Sequence, residues 1–348
     1  MIHSFFVRAS ALAAAMVVAS ASNAAGVMFD PTGGGGAVAT NVYTLNTVDW
    51  LPDNALALGA LSTLPKGMGG PTAAGQLANE SYFRTVAQGR LGSFGGKNSV
   101  GSEEDFNTLG LAFGKDFTFQ ASFYEFGFGI GASTSSFRLA PGASFFRIMA
   151  DSVANSSTIT GAGYNDGVVI LEGILTRVSG SFTDKTRTVG DPNFGQTTNL
   201  DMRGGDNQNG VQTHFGQGSN AVDVKVTALN SAYFLNSVEL LTLNLAYTDT
   251  SNLNTPFISA NPSDQIVGET PFYSVLPSGV KMNGANCLNG EATEGRDELG
   301  NLPPGAVRCD FHFQSDASGA FLVPEPGSVA LIGLALGAVG LASRRRKV

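Results

Sequence analysis

Carboxylates are the most numerous groups in this sequence that could do chemistry, and two placements stand out. Glu103-Glu104-Asp105 is a run of consecutive acids. Glycoside hydrolysis needs two carboxylates facing each other across a sugar at a set separation, so a run in a polar loop reads as a solvated turn. Glu125 ends the series Phe117, Phe119, Ala121, Phe123. A strand would hold that acid in a fixed place, which makes it the acid of greater interest. Beyond the first residues the histidines are His214 and His312, too few for a three-histidine zinc site, and no His-Glu-x-x-His occurs. There is no Gly-x-Ser-x-Gly elbow. Gly127-x-Gly129-x-x-Ala132 follows a strand, but residues 133–137 lack the periodicity of a helix start, so these glycines mark a turn or bulge. Gly95-Gly96-Lys97 lacks phosphate-loop spacing. Asp201 and Asp206, with Asn207 and Asn209, offer oxygens on a glycine-rich loop. They are weak calcium candidates, because Gln208 falls where an EF-hand needs a ligand; the other reading is a polar hairpin loop. No cofactor is expected, and no enzymatic role.

Trp50 and the tyrosines Tyr43, Tyr82, Tyr124 and Tyr164 are either core residues or a platform on which a sugar stacks. Cys287 and Cys309 are the two cysteines. In an oxidising compartment such a pair reads as a disulfide, which would stabilise the fold by about 3 kcal/mol in the chain-entropy picture.

The elements that must position these groups are strands. Charged residues make up 14% of the 348-residue chain, with 45 glycines and 24 phenylalanines, a balance that favours a β-rich exported protein over a helical cytosolic one. Period-two alternation is clearest at 115–128, and recurs in Val222, Val224, Val226 and in Leu241, Leu243, Leu245, Tyr247. Further strands are expected at 38–45, 82–91, 145–150, 168–178 and 310–314. Residues 73–79 and 142–151 are the candidates for short helices, and the Gly33–Gly36 run should make a flexible lead-in. Strands every dozen or so residues, divided by Gly/Asn/Asp/Ser turns, predict an all-β fold: an antiparallel β-sandwich of jelly-roll-like form over residues 25–322. A subdivision at the proline- and asparagine-rich stretch 252–268 is possible on composition.

The two ends of the chain carry addresses. Residues 1–8 hold one cation and no acid, residues 9–21 are apolar, and Ser22-Asn23-Ala24 places small residues where a signal peptidase reads them. Residues 1–24 are therefore expected to be a signal peptide cut after Ala24, with Ala25 the next candidate. At the other end Pro324-Glu325-Pro326 precedes an uncharged run, 329–342, and Arg344, Arg345, Arg346 and Lys347 follow. The prolines forbid helix at the entry. The run reaches the roughly 20 residues of a single transmembrane helix only with its flanking residues, and the basic cluster would stay cytoplasmic.

Proline, acid, proline, apolar helix and basic terminus over 323–348 resemble the PEP-CTERM sorting signal of Gram-negative bacteria. That resemblance implies an exosortase in the inner membrane as partner, with recognition at Pro324, Glu325 and Pro326 and removal of the helix. Residues 47–56, 117–125, 209–213 and 216–220 are similar to stretches of flocculation-associated PEP-CTERM proteins, which implies a cell-surface or matrix protein linked to exopolysaccharide and cell aggregation. Setting aside Arg8, the four terminal cations and Glu325 leaves 15 cations and 27 acids, a formal charge of −12. Nucleic acid is thus an unsuitable partner and extracellular polysaccharide a compatible one. The alternatives are a carbohydrate-binding module with a defined sugar site and, behind it, a secreted polysaccharide-degrading enzyme.

Overall fold

The computed structural model describes most of residues 27–250, the pairs 292–293 and 308–309, and 311–322. The chain runs through β1 (Val27–Phe29), β2 (Tyr43–Leu58), β3 (Glu80–Lys97), β4 (Glu103–Asn107), β5 (Asp116–Phe128), β6 (Thr134–Leu139), β7 (Phe145–Asp151) and β8 (Val168–Asp184). It continues through β9 (Thr198–Asn199), β10 (Gln212–Thr213), β11 (Gly216–Leu229), β12 (Thr242–Thr250), β13 (Ala292–Thr293), β14 (Arg308–Cys309) and β15 (Phe311–Leu322). Among the described residues the helical content is two 3₁₀ turns, Lys66–Met68 and Lys185–Arg187. The stretch expected as a helix at 142–151 holds strand β7, and 73–79 forms turns.

Eleven strands form one antiparallel sheet, and its pairings close into a ring. β2 pairs β3, β3 pairs β5, and β5 pairs β6 and β7. Both of these pair β8, which pairs β11; β12 and β15 follow, and β15 returns to β2. Neighbours around the ring follow chain order. That is an up-and-down barrel of eight positions, one of them shared by β6 and β7, with β1 and β4 added at the rim. The all-β, antiparallel expectation holds. Among the described residues the pairings give no sandwich or jelly-roll connectivity: no strand there crosses over to interleave with another hairpin, and the ladder there has no break at which to divide into two sheets. Closure removes the sheet edges that an open sheet would have to protect.

Local irregularities let the ring close. Pro52 cannot donate to a ladder, and β2 runs through it by bulging: its register shifts between Trp50 and Ala55 against β3, and between Ser315 and Ala317 on the β15 side. A similar device divides β6 from β7. Ser122 pairs Phe145 and Glu125 pairs Leu139, so a three-residue step on β5 faces a six-residue step on its partner. The extra residues fold outward, where Pro141 O accepts from the Tyr82 hydroxyl at 3.1 Å.

The interior is layered along the barrel. At the end where β2 begins and β15 finishes, Phe29 lies 4.7 Å from Phe94 and 5.1 Å from Phe234 between ring centroids. β1 is held there by Asp30 N donating to Tyr233 O and Leu235 N to Met28 O. Asp30 also accepts from Thr32 N and Gly34 N, so the stretch expected as a flexible lead-in is an organised turn at 30–35. Next comes Trp50, 1% exposed, edge-on to Phe119 at 4.7 Å, with Phe119 stacked on Phe146 at 5.5 Å. Gly89 is required in this layer, because a Cβ there would stand 2.5 Å from the Phe119 ring. Outside, β8 and β11 turn charge to solvent and β12 adds a polar group: Arg177 holds Asp223 at 2.6 Å, and Asn244 donates to the same carboxylate. On β5 the outward Thr118, Gln120 and Ser122 are buried as well. Thr118 donates to Tyr164 O at 3.0 Å and Ser122 accepts from Arg84 Nε at 2.6 Å.

Candidate functional site

The third layer is polar. Strand alternation carries Phe119, Ala121 and Phe123 inward on β5, and the next inward position is Glu125. Into and along β12 the inward series Leu241, Leu243, Leu245, Tyr247 ends in Asp249. Both acids are more than nine-tenths buried. They enter one cavity of about 50 Å³, lined by residues from every position around the barrel. That is room for about four waters. Its walls are carbon for the most part, including Phe123, Phe146, Val222 and Phe313.

Glu125 accepts from the Thr85 hydroxyl, and Asp249 accepts from Ser315 Oγ at 2.7 Å and from the Asn220 amide. Burial pushes the Glu125 carboxyl up to about 7; the Thr85 hydrogen bond opposes this and the charge of Asp249 adds to it. Burial likewise raises Asp249 to about 6 against its bonds to Ser315 and Asn220. The Tyr247 phenol is pushed up by burial and by Asp249, and stays neutral. Among the lining residues described, no lysine, arginine or histidine faces these acids.

A second polar assembly lies outside the cavity. Arg138 on β6 grips Glu80 with two donors, at 2.8 and 2.6 Å, and donates to Gly75 O at 2.8 Å. It lies over the Phe126 ring at 4.3 Å. The hydrogen bonds from Arg138 hold the Glu80 carboxyl below its ordinary range. This pair ties the β2–β3 connection to the wall.

The structure separates the residues singled out in the sequence. Glu125 is in the cavity. Trp50 is in the middle of the core and Tyr164 is fully buried, donating to Asp53, so a sugar shelf built on Trp50 is corrected to a packing role. Glu103-Glu104-Asp105 falls on β4, paired to the end of β3. Gly129 takes a left-handed φ of 72° in the turn before β6, as a turn glycine should. Cys309 lies on β14 opposite Ala292. Its side chain, Cys287 and hence their disulfide lie outside the described residues. So do His214, Asp201 and Asp206, the 252–268 stretch, Ala24 and Ala25, Pro324, Glu325 and Pro326, and Arg344, Arg345, Arg346 and Lys347. Asp249 was not singled out, although the alternation from Leu241 reaches it.

The other end of the barrel leads to the sorting address. Leu322, the last residue of β15, pairs Thr242 at the start of β12, on the side of the aromatic layer. From this residue onward, 322–347 matches the family model of the PEP-CTERM protein-sorting motif. The chain carries a PEP-CTERM sorting signal. It is an exported protein, sorted by an exosortase at the cell envelope. No curated protein and no solved structure matches the chain. Among the described residues no helix is long and apolar enough to cross a membrane; the expected membrane helix belongs to the PEP-CTERM segment, outside them. Asp249, Glu125 and Ser315 lie toward the far ends of their strands from Leu322. The polar cavity therefore sits away from the end at which the PEP-CTERM signal leaves the barrel.

Proposed function

We propose that the processed barrel is a non-enzymatic protein of the cell surface or extracellular matrix, associated with exopolysaccharide and promoting cell aggregation in flocs or biofilm. A signal peptidase acts at its N-terminus, and the C-terminal helix holds it at the inner membrane of a Gram-negative cell until an exosortase removes it. The observation that carries this reading is the sorting motif starting on the last residue of the final barrel strand. The body can then be complete before its tether is cut. An acidic body with a charged, hydrated exterior suits a polysaccharide gel. Two buried carboxylates in one cavity are raw material for an acid/base pair, but a space for about four waters is small for a sugar ring, which supports a non-catalytic role.

The test is deletion of the gene with complementation by the whole chain and by a chain whose Pro324-Glu325-Pro326 is replaced by alanines. Clumping and surface-bound protein are scored, and intact mass is measured on the surface fraction. Loss of clumping in the deletion, restored only by the chain with an unaltered motif and trimmed at both ends, is expected. Unchanged clumping in the deletion strain would remove the aggregation role.

A further inference from the structure

We propose that the barrel cavity is a binding site for a small alkylammonium ion, seated between Glu125 and Asp249 and among the aromatic rings around them. Two carboxylates enter one cavity inside the barrel, and the described lining offers them no cationic partner. Their hydrogen bonds come from neutral groups, the Thr85 and Ser315 hydroxyls and the Asn220 amide. Another oxygen of the lining, Asn220 Oδ1, is buried with no donor. The cavity is thus rich in acceptors and short of donors and of positive charge. Buried like charges are costly unless a counter-charge joins them.

The walls decide which cation. Calcium takes six to eight oxygens and magnesium a near-octahedral set, whereas this space is walled mainly by carbon, and among the described residues no group of three or more acidic, histidine or cysteine side chains gathers. Phe123, Phe146, Phe313 and Tyr247 bring four rings to the cavity. Aromatic faces attract organic cations. An ammonium head would meet the carboxylates and a short alkyl stem the rings. The volume fits about four heavy atoms, the size of propylammonium. The titratable groups of the lining are Glu125, Asp249 and Tyr247. Protons compete with the ligand for the two carboxylates, so binding strengthens as pH rises through 6 to 7.

The processed protein purified from cells is titrated with propylammonium chloride by calorimetry and by melting temperature, against equal sodium chloride, calcium chloride and the neutral isostere 1-propanol. Saturable binding at pH 8 is expected, at least about tenfold weaker at pH 5 and about tenfold weaker in Glu125→Gln or Asp249→Asn. Both amide variants relieve buried charge at pH 8 and should melt no lower than the parent there, so lost binding is separable from lost folding. Absence of saturable binding overturns the proposal. So does an equal response to 1-propanol or calcium, or binding that persists in the double amide variant. None of these outcomes bears on sorting or aggregation, which rest on the C-terminal motif.

Discussion

Replacing Glu125 by glutamine should make the protein more stable at neutral and alkaline pH. The carboxyl rises from an ordinary 4.5 to about 7 in the folded barrel, chiefly through burial. A folded-state pKa above the unfolded one means that the folded state holds the extra proton between those values. Stability then falls as pH climbs from about 4.5 to 7, and is level with respect to this group above 7. Two and a half pH units correspond to about 3 kcal/mol. Glutamine keeps the shape and can still accept from Thr85, but its buried N–H₂ must be placed well against the cavity's acceptors, and imperfect geometry there costs about 1 kcal/mol. The expected gain at pH 8 is about 2 kcal/mol; at pH 4.5 the charge contribution vanishes and the amide cost alone leaves the variant about 1 kcal/mol less stable. Urea denaturation of parent and Glu125→Gln at pH 4.5, 6, 7 and 8 reads this difference directly, and other titrating groups cancel in the comparison except for Asp249, which is coupled to Glu125. A parent as stable as the variant at pH 8 would mean that the carboxylate reaches water and that the barrel interior is not closed around it.

Trp50→Ala should cost about 3–5 kcal/mol in the same measurement, since the indole is buried against Phe119 and Phe146; a sugar-shelf tryptophan would leave stability within about 0.5 kcal/mol. Arg138→Ala should cost about 2 kcal/mol at pH 7 by leaving the buried Glu80 carboxylate without its partner. Because Glu80 is held below its ordinary pKa, that contribution is present above about 4.5 and lost as pH falls. An Arg138→Ala deficit of the same size at pH 3 would refute the ion-pair account.

The strands were legible in the sequence wherever one face is apolar and the next polar. β5 spans Asp116–Phe128 against an expected 115–128, and its phenylalanines point where the alternation puts them. β2 spans Tyr43–Leu58 against an expected 38–45; the bulge that carries it through Pro52 depends on partners far along the chain. Closure itself was not legible. β15 and β2 pair residues more than 250 positions apart, and period-two alternation is the same whether a sheet curls into a ring or faces a second sheet. Glu125 stood out because it ends a conspicuous phenylalanine series. Asp249 did not, because Thr248-Asp249-Thr250 resembles a turn, and only the inward count from Leu241 reveals that it points inside. The sorting signal was the most legible feature, being written in contiguous residues that need no fold to be read.

The seam between β15 and β2 carries a consequence for biogenesis. The piece that locks the ring is the last to emerge before the tether, so the body remains an unjoined sheet until nearly all of it has been translocated. Once joined, its hydrogen-bonded ladder ends at Leu322, and a cut beyond that residue costs the barrel none of those bonds. A truncation some dozen residues upstream would instead unzip two neighbours at once and leave a pair of bare flanks free to recruit other copies.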